Sequence, residues 1–463
     1  MWLLATRFVF SQSLVLKNVT VIDATGAPPQ KNVSVSIAGG RIAAIQKKIH
    51  TGRGDRVIDA TGKYLIPGLW DMHIHLGPPD IFFPLLIANG ITGVRDMFSG
   101  IPMPTINAWR ARPDVPRIVA PGFIDGPPML STGPPRPGAI AVATPDQARF
   151  AVRALAASGV DFLKVYSSVP RDAYFALAAE ARAIGIPFAG HSPEEVSPLE
   201  ASEAGQRSEE HLIDALLACS TREDDLRKER VSMMLSDRIT GEERMRQLAF
   251  PSLDDDYSDE KAQKLFAAFV KNGTWQTPTL VLLEGFARAS DDDFVNDPRR
   301  KYLLKPWSEA WDPRKTFFLR DLPAEGWTAL NTRIRTLIER YEKLVGEMHK
   351  AGVELLAGTD ANGWNPVLPG FGLHEELALL VKSGLTPLEA LQTATRNASR
   401  YFGLTDFGTI ELNQSADLVL LDADPLEDIH NTSKIRAVFL RGRYYTRADL
   451  DEMLTRAAQF ASR

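Results

Sequence analysis

The stretch that decides the fold is Ile66-Pro-Gly-Leu-Trp-Asp-Met-His-Ile-His-Leu-Gly77, which has polar residues at alternate positions of a short apolar run. Because side chains alternate across a strand, Asp71, His73 and His75 lie on one face and the apolar residues between them on the other. The two imidazoles then project the same way from backbone positions about 7 Å apart, close enough to share one metal ion. A lone His-x-His pair is more often structural, so this interpretation depends on further ligands elsewhere.

The pattern of predicted secondary structure changes at Pro67. Residues 13–65 and the far C-terminus read as short strands separated by turns, which predicts one small β-sandwich domain from residues 13–66 and 400–446. Residues 67–399 alternate strands, Gly/Pro turns and helical segments, which predicts a (β/α)8 TIM barrel of the α/β class. The eight predicted barrel strands cover residues 69–76, 92–97, 117–123, 160–166, 186–191, 208–212, 275–283 and 353–360.

Two insertions interrupt the predicted barrel, at about residues 220–272 and 286–328. The first is highly charged, and the second carries the aromatic residues Trp307, Trp311, Phe317, Phe318 and Trp327. Structureless loops of this length are uncommon unless they are functional. We expect a partly helical lid or an oligomer contact, with a surface decoration as the alternative.

Composition excludes several classes of partner. The net charge is −5 and no long basic run is present, so the chain lacks the electrostatic footprint of a nucleic-acid-binding protein. No run of about 18 apolar residues exists, which predicts that nothing spans a membrane. The one cysteine, Cys219, precludes an intramolecular disulfide. The N-terminus is weakly apolar without a basic region, which fits a soluble protein that is cytoplasmic or exported with its leader trimmed.

Candidate metal ligands stand at the ends of the predicted strands, where barrel enzymes place their chemistry. These candidates are His73, His75, Lys164, His191, His211 and Asp360. They include four of the eight histidines, more than chance would place at strand ends. Lys164 shares its strand face with Phe162 and Tyr166, and a bare ammonium there would lie beside divalent cations, which is strongly unfavourable. The position makes sense if the amine has been converted into an anion.

The chain resembles the amidohydrolase superfamily, in particular its imidazolonepropionase-like and prolidase-like branch, from about residue 14 to 445. The segments that carry the resemblance are Pro67-Gly-Leu-Trp-Asp-Met-His-Ile-His75, Phe162-Leu-Lys-Val165, Gly190-His-Ser192, Glu210-His-Leu212 and Ala357-Gly-Thr-Asp360. In this family such a lysine is carboxylated by CO2, and its carbamate bridges two divalent metal ions.

The resemblance implies a ligand for each position of a binuclear centre. The first ion would be held by His73, His75 and Asp360, the second by His191 and His211, and both by carboxylated Lys164. This nitrogen- and carboxylate-rich set favours Zn²⁺, with Mn²⁺, Fe²⁺ or Co²⁺ as alternatives.

The implied function is hydrolysis of an amide or peptide C–N bond in a small-molecule substrate, as in an amidase, dipeptidase or prolidase. Two cations lower the pKa of a bridging water to give a hydroxide nucleophile, and Asp360 acts as the general acid–base. Ester, lactone or phosphotriester hydrolysis by the same site is the alternative. A mononuclear deaminase would not need Lys164, and a non-catalytic binding protein should lack a ligand, so both are less favoured. We expect a homo-oligomer.

Three residues are candidates for substrate contact. Tyr166 shares the face of Lys164, Arg95 ends the second strand, and Arg207 lies just ahead of His211. Salt bridging competes with this role for Arg95, as does a solvated loop position for Arg207, and His374 is assigned a capping or packing role. Many relatives carry a substrate-contacting histidine in a Gly-Gly-His-Gly-like stretch after strand three, whereas residues 126–138 are proline-rich and have none. Dipeptide specificity therefore does not transfer, and an apolar acyl or amine group is the working hypothesis.

Overall fold

Strands and helices alternate from residue 69 onward in the computed structural model, which describes residues 13–126, 138–234, 256–312 and 324–463. The N-terminal residues 1–12 and most of the proline-rich stretch at 126–138 lie outside the described residues, and so do Phe317 and Phe318. Within the described ranges, no helix is both long and apolar enough to cross a membrane.

The strands follow the chain from residue 14 to residue 446. They are β1 (Leu14–Val21), β2 (Gln30–Ala38), β3 (Arg41–Gln46), β4 (Arg56–Asp59), β5 (Tyr64–Pro67), β6 (Leu69–Ile74), β7 (Ile91–Asp96), β8 (Arg117–Val119), β9 (Pro121–Asp125), β10 (Ala139–Ala141), β11 (Phe162–Val165), β12 (Phe188–Gly190), β13 (Ser208–Glu210), β14 (Trp275–Thr277), β15 (Leu418–Leu421), β16 (Ile435–Leu440) and β17 (Arg443–Thr446).

The helices lie mostly between the strands of the central region. They are α1 (Pro79–Ala88), α2 (Met103–Arg110), α3 (Pro145–Ala157), α4 (Arg171–Ile184), α5 (Pro198–Ala204), α6 (Ile213–Ala218), α7 (Glu223–Met234), α8 (Asp259–Asn272), α9 (Leu280–Arg288), α10 (Asp292–Val295), α11 (Lys305–Ala310), α12 (Ala324–Lys350), α13 (Phe371–Lys382), α14 (Pro387–Thr393), α15 (Arg396–Phe402) and α16 (Arg447–Ala461). Short 3-10 turns cover Pro298–Tyr302 and Ile429–Ser433.

Strands from both chain ends form one eight-stranded sheet. Its order is β17-β16-β15-β5-β1-β2-β3, with β4 beside β1. β15 pairs antiparallel with β16 on one side and β5 on the other, so hydrogen bonds tie the C-terminal strands to the N-terminal ones. Leu16, Val35, Leu418 and Phe439 belong to a hydrophobic core of this sheet's own. The division into two facing layers stays a prediction.

Two parallel sheets carry the candidate ligands. One has the order β6-β7-β8, and the other β10-β9-β11-β12-β13-β14. A single residue, Ala120, separates β8 from β9, so the third predicted strand contributes to both sheets. On the opposite side, residues 354–361 bridge the two sheets through parallel contacts of Leu355 with Gln276 of β14 and Ala361 with Ile74 of β6. The chain is therefore a mixed α/β protein with parallel sheets.

The eighth predicted strand, 353–360, is an irregular segment with isolated bridges. Its backbone still bonds to β6, since the amides of Thr359 and Asp360 donate to the His73 carbonyl at 3.0 and 2.7 Å. Gly358 permits this approach, because a Cβ there would lie 2.6 Å from the His73 Cβ and 2.7 Å from Thr277 Cγ2. The left-handed backbone of Asp360, with φ 54°, prevents a regular ladder from continuing.

The seventh predicted strand, 275–283, is also shorter than expected. β14 ends at Thr277, and helix α9 begins at Leu280. Pro278 has no N–H to donate to a ladder, and Thr279 adopts a left-handed conformation with φ 50°. The apolar run after Thr279 is therefore helical.

The two predicted insertions contain helices in their described parts. α7 and α8 fall in the first, and α10 and α11 in the second. Trp307 and Trp311 are only 5% and 3% exposed, and the Trp311 Nε1 donates to the Gly363 carbonyl at 2.9 Å. These tryptophans pack on the loop that follows Asp360, whereas the side chain of Trp327 is outside the described part.

Candidate metal centre

The carboxyl ends of β6, β12 and β13 bring four histidines together. His73 lies in β6, His75 just beyond it, and His191 and His211 directly follow β12 and β13. Their ring centroids are 5.5 Å apart for His73 and His75, 4.5 Å for His73 and His211, and 5.1 Å for His191 and His211. Lys164 of β11 is 1% exposed and pairs in register with Ala189 of β12.

Asp360 completes the cluster from the irregular eighth segment. Its Oδ1 lies 2.9 Å from His75 Nε2 and 3.4 Å from His73 Nε2. His73, His211 and Asp360 each present a potential ligand atom, and these three atoms lie within 4.8 Å of one another. The separation is suitable for a single ion held between them.

The four histidines all use Nδ1 to bond the protein. Their acceptors or donors are Glu210 Oε2 for His73 at 2.8 Å, the Phe98 carbonyl for His75 at 2.8 Å, Ser167 Oγ for His191 at 2.9 Å and Thr279 Oγ1 for His211 at 2.8 Å. Metal-binding histidines are typically held in this way, with the other nitrogen left for the ion. The Nε2 of His73 is buried and has no hydrogen-bond partner among the described residues.

The protonation states favour a cation at this position. Burial lowers the pKa of His191 well below its ordinary value, and the Lys164 charge adds to the effect. Burial lowers the pKa of His211 to about 3, with a further contribution from His73. Burial raises the pKa of Asp360, but the neighbouring His73 and His75 side chains outweigh it, so this pKa lies well below its ordinary value. Neutral imidazoles and an ionised carboxylate are what divalent metals require, so the residues present fit such an ion.

Arg95 and Glu210 form a buried support beneath His73. Glu210 Oε2 accepts from His73, and the Arg95 NH2 lies 2.9 Å from both Glu210 oxygens. Arg95 is 0% exposed and also donates to the Met72 carbonyl and Ser208 Oγ. Burial raises the pKa of Glu210, but the Arg95 charge and the His73 bond outweigh it and hold the pKa well below its ordinary value. Arg95 thus positions a candidate ligand; a substrate contact by Arg95 stays a prediction.

Sequence reasoning missed Glu210, although its place one residue before His211 was a usable signal. Strand alternation sends Glu210 to the opposite side of β13 from its neighbour Glu209, and a carboxylate inside a sheet needs a cationic partner. Arg95 at the end of β7 was the available candidate.

Asp71 joins β6 to the eighth segment. Its Oδ1 accepts from the backbone amides of His73 at 3.2 Å and Thr359 at 3.1 Å, and its Oδ2 from the Thr359 hydroxyl at 2.6 Å. Burial raises the pKa of Asp71 to about 7 even against these donors. The Asp71 carboxylate, which the sequence places on the histidine face, therefore ties β6 to the irregular segment that carries Asp360.

The other two substrate candidates lie in different places. The Tyr166 ring is 4.3 Å from His191 and 5.4 Å from Phe123, which places it beside the histidine cluster. Arg207 precedes β13, at the opposite end of that strand from His211, and its guanidinium donates to the Tyr401 carbonyl. The structure thus brings Tyr166, but not Arg207, to the candidate centre.

The loop after Asp360 fixes its second carboxylate oxygen. Asn365 Nδ2 donates to Asp360 Oδ2 at 3.1 Å. Asn362 Oδ1 accepts from the amides of Trp364 and Asn365 at 2.8 and 2.7 Å, which closes the loop. Oδ1 faces the histidines while Oδ2 is held by an amide donor, so the carboxylate has one defined orientation.

Left-handed backbone conformations cluster in this region. Among non-glycine residues, φ is 72° at His211, 50° at Thr279, 54° at Asp360 and 92° at Phe98. Each of these residues supplies either a candidate ligand or a group that holds one. Such strain persists only where the surroundings over-determine the conformation, and it concentrates at functional sites.

Sequence comparison identifies a family for part of the chain. A model described as "Amidohydrolase family" matches residues 322–444. A dihydroorotase from Thermoanaerobacter sp. (strain X514) is 47% identical over 66 residues, which is 14% of this chain and 15% of that protein. An ochratoxinase from Aspergillus niger is 34% identical over 122 residues, 25% of this chain and 23% of that protein. The chain thus matches less than a quarter of the length of these curated relatives.

Solved structures extend the similarity to nearly the whole chain. A bottromycin amidohydrolase has a TM-score of 0.70 at 22% identity, covering 97% of this chain and 90% of its own. A Xaa-Pro dipeptidase with bound methionine has a TM-score of 0.63 at 18% identity, covering 94% and 100%. These likenesses indicate a TIM-barrel-type fold. Within this fold, residues 322–444 match the amidohydrolase family model.

Proposed function

We propose that this protein is a metal-dependent hydrolase of the prolidase-like branch that cleaves an amide or peptide C–N bond. The observation that carries the proposal is the arrangement of four histidines, each held through Nδ1, around Asp360 and Lys164. Proteins named amidohydrolase, dipeptidase and ochratoxinase share the fold, which supports amide hydrolysis over other chemistries.

The proposed centre holds two divalent ions, with Zn²⁺ favoured by the donor types. His73, His75 and Asp360 would bind one ion, and His191 and His211 the other. Carboxylated Lys164 would bridge them. Support comes from the position of Lys164. The charge of the unmodified lysine lowers the pKa values of both His191 and His211, so its amine lies near both histidines. Carboxylation would replace this buried cation with an anion, which two cations favour.

The ions, when bound, would acidify the attacking water and polarise the scissile carbonyl. The remaining work belongs to the protein. Asp360 is ionised, and its orientation is fixed by Asn365, so it would accept a proton from the water and deliver it to the leaving nitrogen. Glu210, Ser167 and Thr279 would keep the imidazoles from rotating during this transfer.

We infer further that the two parallel sheets close into one eight-stranded barrel over residues 67–399, with insertions at about 220–272 and 286–328. The bridges made by residues 355 and 361 support this closure. Residues 13–66 and 400–446 would form the accompanying β-sandwich. A homo-oligomer is proposed as well, and light scattering of the purified protein would test it.

The test is a hydrolysis panel on protein whose metal content has been measured. Zinc-loaded protein should contain two metal ions per chain and cleave dipeptides or N-acyl amino acids in preference to lactones, aryl esters and phosphotriesters. N-acyl derivatives of apolar amino acids should exceed small polar dipeptides if the pocket is apolar. A single metal per chain would contradict the binuclear centre, and a clear preference for esters or lactones would contradict amide hydrolysis.

A further inference from the structure

We propose that Glu376, on helix α13, is a positioning residue for His211 and acts through Thr279 at the start of helix α9. The inference rests on the proposed function, since it concerns a histidine that would hold the second metal ion. It adds a residue that would act on the candidate ligand His211 only through another side chain.

Thr279 occupies the N-cap position of α9 but does not cap it. A threonine in this position normally accepts a hydrogen bond from one of the first helical amides through its hydroxyl. Here no side-chain cap is formed, and Thr279 Oγ1 bonds to His211 Nδ1 at 2.8 Å. The hydroxyl that could satisfy the helix is committed to the histidine.

Glu376 supplies the missing cap from another helix. Its Oε2 accepts from the Val281 amide, in the first turn of α9, at 2.8 Å. Glu376 is 0% exposed, and a buried carboxyl needs such donors to offset its loss of hydration. The positive end of the helix dipole favours an acceptor there. The contact also ties α13 to α9 across 95 residues of sequence.

The arrangement divides two tasks between two side chains. Glu376 satisfies the amides at the start of α9, and Thr279 is thereby left to orient His211. Without an acceptor at position 376, the Val281 amide loses its partner and the left-handed turn that holds Thr279 loses its support. A Thr279 hydroxyl that shifts with this turn, or that rotates toward the freed amide, would break its bond to His211, so the loss of a cap would become the loss of a fixed imidazole.

Zinc binding measured by chelator competition tests this chain of contacts. Glu376→Met removes the acceptor at similar length, whereas Glu376→Gln retains a carbonyl oxygen for the Val281 amide. We expect Glu376→Met to lower the affinity for one of the two zinc ions by about 10–100-fold, because loss of a residue that supports a ligating histidine has an effect of this size. The zinc affinity of Glu376→Gln should stay within about threefold of wild type. The matched control is Glu389→Met, which removes the capping carboxylate of α14 and should lower thermal stability without changing zinc affinity.

A double variant separates positioning from general destabilisation. Thr279→Val removes the hydroxyl that Glu376 is proposed to spare, so Glu376→Met should add little to the zinc affinity loss already caused by Thr279→Val. If Glu376→Met does not fold, Glu376→Asp, which retracts the carboxyl by one carbon, replaces it with the same expected direction. Wild-type zinc affinity in a folded Glu376→Met protein, or losses that multiply in the double variant, would overturn the inference. Wild-type protein that binds fewer than two zinc ions would instead overturn the proposed function.

Discussion

His73 and His374 are both buried histidines, and the difference between their second ring nitrogens separates a candidate ligand from a packing residue. His374 in α13 bonds Thr432 Oγ1 through Nδ1 at 2.9 Å and the Asn89 carbonyl through Nε2 at 3.1 Å. His73 bonds Glu210 through Nδ1, but its Nε2 has no hydrogen-bond partner in the described part of the chain. A buried polar atom without a partner is costly, and a bound ion would remove that cost.

The comparison also shows which signals do not distinguish the two classes. Burial lowers the pKa of His374 to about 4, and burial with His73 lowers the pKa of His211 to about 3. Both histidines bond a threonine hydroxyl through Nδ1. Neither a lowered pKa nor a hydroxyl partner therefore marks a ligand. The informative feature is a ring nitrogen, such as His73 Nε2, that faces the other candidate metal ligands and has no hydrogen bond within the described residues.

The largest effect is expected for Asp360→Asn. The amide can still coordinate through its oxygen but cannot accept the proton of the attacking water, so kcat should fall by at least about 10³-fold while most of the metal is retained. Turnover and zinc content measured on the same preparation decide the outcome. Activity above about a tenth of wild type would show that Asp360 is not the general acid–base.

Replacing each of the two compared histidines with glutamine tests the distinction between them. His73→Gln should lose one tightly bound zinc and measurable turnover, because it removes a ligand. His374→Gln should keep both zinc ions and most of the turnover, while unfolding becomes easier by about 1–3 kcal/mol as buried partners lose their bonds. Equal loss of zinc in both variants would refute the distinction drawn from Nε2.

Glu210→Gln should give a smaller change in the same centre. The substitution removes the negative charge that holds Arg95 and the His73 Nδ1–H, and zinc affinity should fall by about 10–100-fold. Glu354→Gln is the matched control, because Glu354 pairs with Arg400 at the surface at 2.6 Å and surface ion pairs contribute about 0–1 kcal/mol. Calorimetric zinc titration of both variants provides the comparison. Similar affinities for the two would argue against a role for Glu210 in orienting His73.

The stability of the fold should also depend on pH through His374. Since the pKa of His374 falls from 6.5 to about 4 on burial, the unfolded chain binds this proton first as the pH drops. The stabilising contribution is fully present above pH 6.5 and is lost progressively between pH 6.5 and about 4, by an amount of order 3 kcal/mol. When the free energy of unfolding from denaturant titrations is plotted against pH, the curves of wild type and His374→Gln should therefore differ in slope only in this window. Parallel curves would show that His374 keeps its ordinary pKa.

Much of the candidate site could be predicted from the sequence because its ligands follow strand periodicity. Alternation around His73 and the placement of His191 and His211 at the ends of predicted strands were sufficient to group them. Helices α3 and α4 belong to the helical segments that the sequence predicts, since both have clear apolar periodicity and α3 begins with a threonine cap.

The parts that sequence reasoning missed depend on contacts between distant segments. Neither the Arg95–Glu210 pair nor the His211–Thr279 bond has a local pattern, because each joins side chains that are far apart in the sequence. Helix α16 was also missed, although Thr446 and Asp449 form a capping box that marks its start. The second insertion was expected to form a lid or an oligomer contact, and the burial of its Trp307 depends on the space left by Gly363, where a Cβ would lie 2.6 Å from the Trp307 ring.

The irregular eighth segment has a consequence for how the molecule holds together. It joins β14 to β6 through isolated bridges, so its junction with β6 is a seam between the two sheets and not a regular ladder. His73 and Asp360 stand on opposite edges of this seam. An ion bound by both residues would stabilise the seam against local opening. The amide hydrogens of residues 354–361 would then exchange with solvent more slowly when the ion is bound. The same ligands would then govern both the chemistry of the centre and the local opening of the fold.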